Sequence, residues 1–222
     1  MTSEAWQLVG FTVRMAVIST LLMLPFGLAI AWGLARWRGR GRVLAETVVM
    51  MPLVLPPVVT GLILLALFGR HGPIGRWLHT QFGMDVVFTW RAVVAALVVM
   101  SLPLFVRAAQ TAFEEVDPLC EQMARTQGAR EWQVFLFVTL PLARRGIVAG
   151  LLLAFARALG EFGATIMVAG NISGQTTTMS VAIYQAVQLG QDGHAWMLAG
   201  VSAAIAFGAV WGSGLLLRRH KA

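Results

Sequence analysis

The sequence predicts an all-α protein embedded in a membrane, and three observations carry that prediction. Hydrophobic residues fill 58% of its 222 positions and the mean hydropathy is +0.74, well above the apolar share of a soluble globular domain. Apolar runs occur at residues 9–35, 43–68, 92–107, 147–169 and 195–217, and crossing a hydrocarbon core about 30 Å thick takes about 20 helical residues. The basic residues gather at the ends of these runs, so the net charge of +7 points to anionic lipid headgroups and not to nucleic acid, which would need a basic polar face with interleaved aromatics. About five transmembrane helices in a single domain spanning residues 1–222 are expected.

The first run, 9–35, has no basic residue ahead of it and no small-residue cleavage site after it, so it reads as a retained helix and not a signal peptide. Arg36, Arg38, Arg40 and Arg42 follow directly. By the positive-inside rule its C-terminal end is cytoplasmic and Met1 lies outside. The later runs then alternate. Twelve of the 17 Lys+Arg fall at cytoplasmic ends: those four, Arg107, Arg125, Arg130, Arg144, Arg145, Arg218, Arg219 and Lys221. Arg70, Arg76 and Arg91 fall in or beside outer connections, and Arg14 and Arg157 lie within runs. Arg14, near an outer end, is expected to snorkel to the interface.

In the second run Pro56 and Pro57 free backbone carbonyls that neighbouring helices or a watery path must satisfy. A packed kink and a broken helix lining a path are both open. Thr60 adds a hydroxyl and Gly61 a place where another backbone can come close. Ser101 with Pro103, and Pro25 with Gly27, raise the same question more weakly. The outer connection at 69–90 holds Gly, Pro and two His, with a short helix expected over 74–82 and Trp77 and Trp90 anchoring at headgroup level. The third run, 92–107, is the shortest and can extend into its flanks.

Residues 121–145 form a polar island. A helix is expected over 120–127, ended by Gly128, which accepts positive φ. A second should run from Ala129 to about Val138, with Pro141 ending that segment. Two short helices meeting at a glycine suit a cytoplasmic protrusion that docks into a partner, although composition alone leaves an ordinary inter-span loop equally open. In the fourth run Arg157 and Glu161 stand four apart and can pair on one helical face. Intramembrane ions mark functional sites by default; this pair either joins helices or acts as a gate. Gly160 and Gly163 flank it and would let another helix approach. Residues 170–194 contain no Lys or Arg, and 178–189 is read as a re-entrant or interfacial helix, tolerated only where protein or water covers its backbone.

The island resembles the EAA loop of ABC importer permeases: Glu-Ala-Ala, three residues, Gly, nine residues, Ile, one residue, Leu-Pro. Gln122, Met123 and Ala124 take the first three places, preceded by Glu121, and Gly128, Val138, Leu140 and Pro141 follow at the family spacing. Gln122 for Glu, Met123 for Ala and Val138 for Ile are the departures. PLVLPPVVTG from Pro52 and FARALGEFGAT from Phe155 resemble molybdate permease segments, so the likeness covers nearly the whole chain. The resemblance implies a homodimer in the bacterial cytoplasmic (inner) membrane whose coupling loop, 108–146, docks one ATPase subunit per copy. ATP and Mg would then be bound by the ATPase, with a periplasmic binding protein delivering the ligand. GEFGAT and NISGQTTT suggest molybdate, with sulfate and tungstate as alternatives.

No catalytic, cofactor-binding or metal residues are assigned. The sole lysine, Lys221, cannot serve a P-loop in mid-chain. A lone Cys120 excludes an internal disulfide, the four histidines lack ligand spacing, and no carboxylate cluster is expected beside the outer ones. Readings from other classes are an ion-coupled transporter, which would show acidic or His relays inside several spans, and a non-transporting scaffold subunit.

Overall fold

The computed structural model describes residues 3–218, all of its regular structure helical. Arg219 and Lys221 lie outside the described residues. Helix α1 (Ser3–Arg36) is about 51 Å long at 1.5 Å per residue, more than one bilayer core requires. The shortest predicted span becomes α5 (Trp90–Glu114), started by the Thr89 hydroxyl, which accepts from the Arg91 N–H. α5 is the buried axis of the bundle. It packs on α1, on α8 (Leu140–Leu159) and on α2 (Arg42–Val54). α11 (Asp192–Arg218) lies at the periphery against α8.

The second predicted span is not one straight helix. α2 and α3 (Pro57–Phe68) meet at 107°. Leu55 and Pro56 each precede a proline and are therefore forced extended, at ψ 145 and 131. With 13 and 12 residues, neither half crosses a bilayer alone. Outside them, α4 (Pro73–Phe82) begins at a proline and ends at Gly83 in the left-handed region. Trp77 and Trp90 are exposed. Arg70 donates from two nitrogens to Asp85, and this holds the Asp85 carboxyl below the ordinary carboxylate range. His79 Nδ1 lies 3.2 Å from the same carboxylate. One carboxylate already held by arginine does not make a catalytic cluster.

The expected stop at Pro141 is overturned. α7 (Glu131–Val134), a π-turn (Phe135–Thr139) and α8 form one continuous helix. In the π-turn the Leu140 N–H bonds the Phe135 carbonyl, five residues back. The widened ladder accommodates the proline that an α-helix would reject. The fourth span therefore starts earlier than predicted and ends at Leu159. After Gly160 the chain restarts as α9 (Gly163–Ala169).

α10 (Met179–Gln188) occupies the region predicted to be a re-entrant or interfacial helix. The Met179 N–H donates to the Thr12 hydroxyl of α1 at 2.9 Å, and the Ser180 hydroxyl donates to the Leu159 carbonyl at 3.1 Å. Protein thus covers its first turn, as a helix that does not cross must have.

Candidate functional site

Two regions carry the predicted residues. The first is the loop after α5. Asp117 caps α6 (Pro118–Thr126), its carboxylate accepting from the Leu119 N–H at 2.9 Å, with Pro118 in the first turn. Gly128 then turns the chain at φ +88, and the Ala129 N–H reaches back to the Ala124 carbonyl at 3.1 Å. Gln133 Oε1 accepts from the Arg130 N–H at 2.7 Å and starts α7. The two predicted short helices and their glycine hinge are therefore present, the second merging into α8.

The faces of α6 differ. Leu119 is 62% and Met123 65% exposed, with Gln122 exposed beside them. Large apolar side chains thus stand exposed on a polar loop. Ala124, Gly128, Ala129, Gln133, Phe137 and Val138 border a notch of about 370 Å³ between the short helices. Leu140 is half-buried and Pro141 exposed. Glu121 points the other way, only 1% exposed. It pairs with Arg36 at the end of α1 and accepts from the Thr139 hydroxyl at 2.7 Å. Arg36 and Thr139 are functional candidates that sequence reasoning missed. Glu121 is one of five acidic residues in 108–146 and nothing local singles it out, and a partner 85 residues away has no sequence signature.

The second region is the meeting of α3, α8 and α9. Arg157 Nη1 lies 2.7 Å from Glu161 Oε2, so the expected pair forms. It does so across a helix end and not along one face, because Glu161 lies past the last turn of α8. Its other oxygen accepts from the Ala164 N–H at 2.9 Å, which starts α9. Gly61 and Gly163 supply the close approach. A Cβ at Gly61 would lie 2.9 Å from the Ala164 backbone, and one at Gly163 would lie 2.8 Å from Pro57 Cβ. Gly160 is exposed and meets only its own helix's carbonyl at 3.9 Å, so the expectation that it admits a helix is corrected. The hydroxyls of Thr60 and Thr165 are buried there without hydrogen-bond partners. Pro56 is exposed at the break. Ser101 is enclosed between α1 and α5, its hydroxyl donating to the Leu97 carbonyl with the Met23 sulfur 3.8 Å away. Among the described residues no group of three potential metal ligands occurs.

A bundle of long apolar helices with a broken span, a paired charge within it and basic residues gathered at one end defines a multi-pass membrane protein. The chain belongs to the family of binding-protein-dependent transport system inner membrane components, the permeases of ABC importers, whose model matches residues 7–220. It is accordingly a multi-pass inner-membrane transport protein, not an enzyme. It is 47% identical over 197 residues to the molybdenum transport system permease protein ModB of Escherichia coli K12, covering 88% of this chain and 86% of that one. Against the sulfate transport system permease protein CysT of the same organism it is 40% identical over 177 residues, covering 80% and 64%. Among solved structures it resembles an inward-facing methionine ABC transporter, MetNI, with a TM-score of 0.71 at 16% identity over 97% of this chain and 94% of that one.

Proposed function

We propose that this chain is the membrane-spanning permease of an ATP-driven importer that moves molybdate into the cytoplasm. The observation that carries this reading is the 47% identity to a molybdenum permease along nearly the full length of both chains. Two copies pair around a central path. Each docks one ATPase subunit, which binds ATP and Mg, and a periplasmic binding protein delivers the oxyanion. The N-terminus is outside and the loop of α6 inside, as the arginine distribution supports. ATP binding draws the ATPases together and opens the path outward through the two loops; hydrolysis returns it inward, as rigid-body alternating access. The loop residues Glu121, Gln122, Met123, Ala124, Gly128, Ala129, Val138, Leu140 and Pro141 transmit force and perform no chemistry.

Pro56, Pro57, Thr60, Ser101, Arg157, Glu161 and Gly163 are the path and gate candidates. A passing oxyanion competes with Glu161 for Arg157. Glu161 is not stranded when this happens, because the Ala164 N–H still holds it. The 40% identity to a sulfate permease supports a second reading, sulfate, and tungstate shares the size and charge of molybdate.

The test uses the assembled complex of this chain with its ATPase. Binding protein loaded with molybdate is expected to stimulate ATP hydrolysis several-fold more than the same protein loaded with sulfate. Equal stimulation by both ligands would remove the molybdate assignment. In the same assay Gly128→Val should reduce the stimulation about tenfold. A β-branched residue at φ +88 carries about 1–2 kcal/mol of backbone strain, placed at the hinge of the docking loop. Gly128→Asn should be better tolerated, because asparagine visits this region. Full stimulation in Gly128→Val would contradict the docking role of the loop.

A further inference from the structure

Two carboxylates are almost wholly enclosed among the described residues, Glu161 at the end of α8 and Glu121 in the loop. The enclosure of Glu121 is the less expected of the two, since α6 is a short, polar helix that otherwise lies at the surface. All but one of its partners belong to other elements. Arg36 comes from the last turn of α1, and Thr139, itself 1% exposed, comes from the π-turn that leads into α8. Arg125, one turn along α6, lies 3.6 Å away. It grips Glu131 at the start of α7 through Nε at 2.7 Å and Nη2 at 3.0 Å. Beside this cluster Trp32 of α1 meets Phe135 of the π-turn edge to face, centroids 5.3 Å apart.

By covalent connection alone, α6 is held between two yielding joints. On one side Glu115, Val116 and Asp117 separate it from α5, and on the other lies the left-handed turn at Gly128. A displacement of α6 would be absorbed by rotation at these joints before it reached any span. We propose that Glu121 is the positioning residue that closes this gap. Its buried carboxylate locks the inner face of α6 to the end of α1 and to the start of α8, while Leu119, Gln122 and Met123 remain free on the outer face for the ATPase. Force delivered to the outer face then moves α1 and α8 with the loop. The two jobs are divided between opposite faces of one nine-residue helix. This inference rests on the permease reading above and deepens it.

The readout is ATP hydrolysed per molybdate imported by the complete complex in proteoliposomes. Glu121→Gln retains an oxygen for the Thr139 hydroxyl but removes the ion pair with Arg36 and the longer one with Arg125. Arg36→Gln removes the same pair from α1, away from the docking face. Each is expected to raise the ratio about tenfold, within the usual range of a coupling free energy. The double variant should do no more than Glu121→Gln alone, since the interaction that Arg36→Gln deletes is already lost there. Arg36→Lys should restore most of the coupling, and co-purification of the ATPase with each variant should persist. An unchanged ratio in both single variants overturns the proposal, as does an additive double variant. Should Glu121→Gln fail to assemble, Arg36→Gln decides alone. No uptake by the unmodified complex would instead overturn the permease reading, and this inference with it.

Discussion

Replacing Glu161 with alanine should destabilise the folded chain by about 3–5 kcal/mol, the cost of removing one member of a buried ion pair. Glu161 is 2% exposed and makes two bonds at once, to Arg157 Nη1 at 2.7 Å and to the Ala164 N–H at 2.9 Å. Truncation leaves a guanidinium without its counter-charge and the first turn of α9 without its acceptor, and each unmade bond carries a desolvation cost of its own. Glu161→Gln should lose less, because an amide oxygen still accepts from Ala164. Thermal unfolding of the purified chain in detergent measures both. Equal stability of Glu161→Ala and the unmodified chain would mean that the pair is not structural at all. A loss as large in Glu161→Gln as in Glu161→Ala would show that the charge, and not the cap, holds the break together.

Gly61→Val should cost about 3 kcal/mol, the upper end of overpacking. The added Cβ alone would stand 2.7 Å from Met167 Cβ and 2.9 Å from both the Cα and the carbonyl oxygen of Ala164. Two of these three atoms are backbone, so no rotamer change relieves the clash and α3 must lift from α9. Gly160→Ala is the matched control. Nothing closer than 3.9 Å meets a Cβ there, and its effect should stay within about 0.5 kcal/mol. The comparison is made by the midpoint of thermal unfolding. A control as damaging as Gly61→Val would show that the α3–α9 contact is not what makes Gly61 necessary.

What could be read from sequence divides by range. Apolar runs revealed the helices, because burial in hydrocarbon requires length and that requirement is local. Gly128 was similarly accessible, since turn chemistry depends on the residue itself, whereas the Asp117 cap and the start of α6 at Pro118 came from the structure. Pro56 and Pro57 disclosed a break but not its 107° angle, which depends on how α3 seats on α9 through Gly61 and Gly163. Pro141 was misread for a related reason. A proline ends an α-helix, but a π-turn ahead of it lets the helix continue, and no residue in FLFVT announces that. The fourth span stopped short because the Glu161 side chain caps a new helix, a choice made by a partner three residues on. Glu121 shared its fate with every residue whose meaning lies in a distant contact: its place beside Arg36 exists only once α1 and α6 have met.

The decisive measurement is uptake of labelled molybdate and labelled sulfate into proteoliposomes that hold this chain with its ATPase, with ATP on the ATPase side and binding protein opposite. ATP-dependent accumulation of molybdate, lost when the ATPase is omitted and exceeding that of sulfate, is the expected result. Accumulation that persists without the ATPase, or no accumulation of either oxyanion by a verified complex, would contradict an ATP-driven molybdate permease.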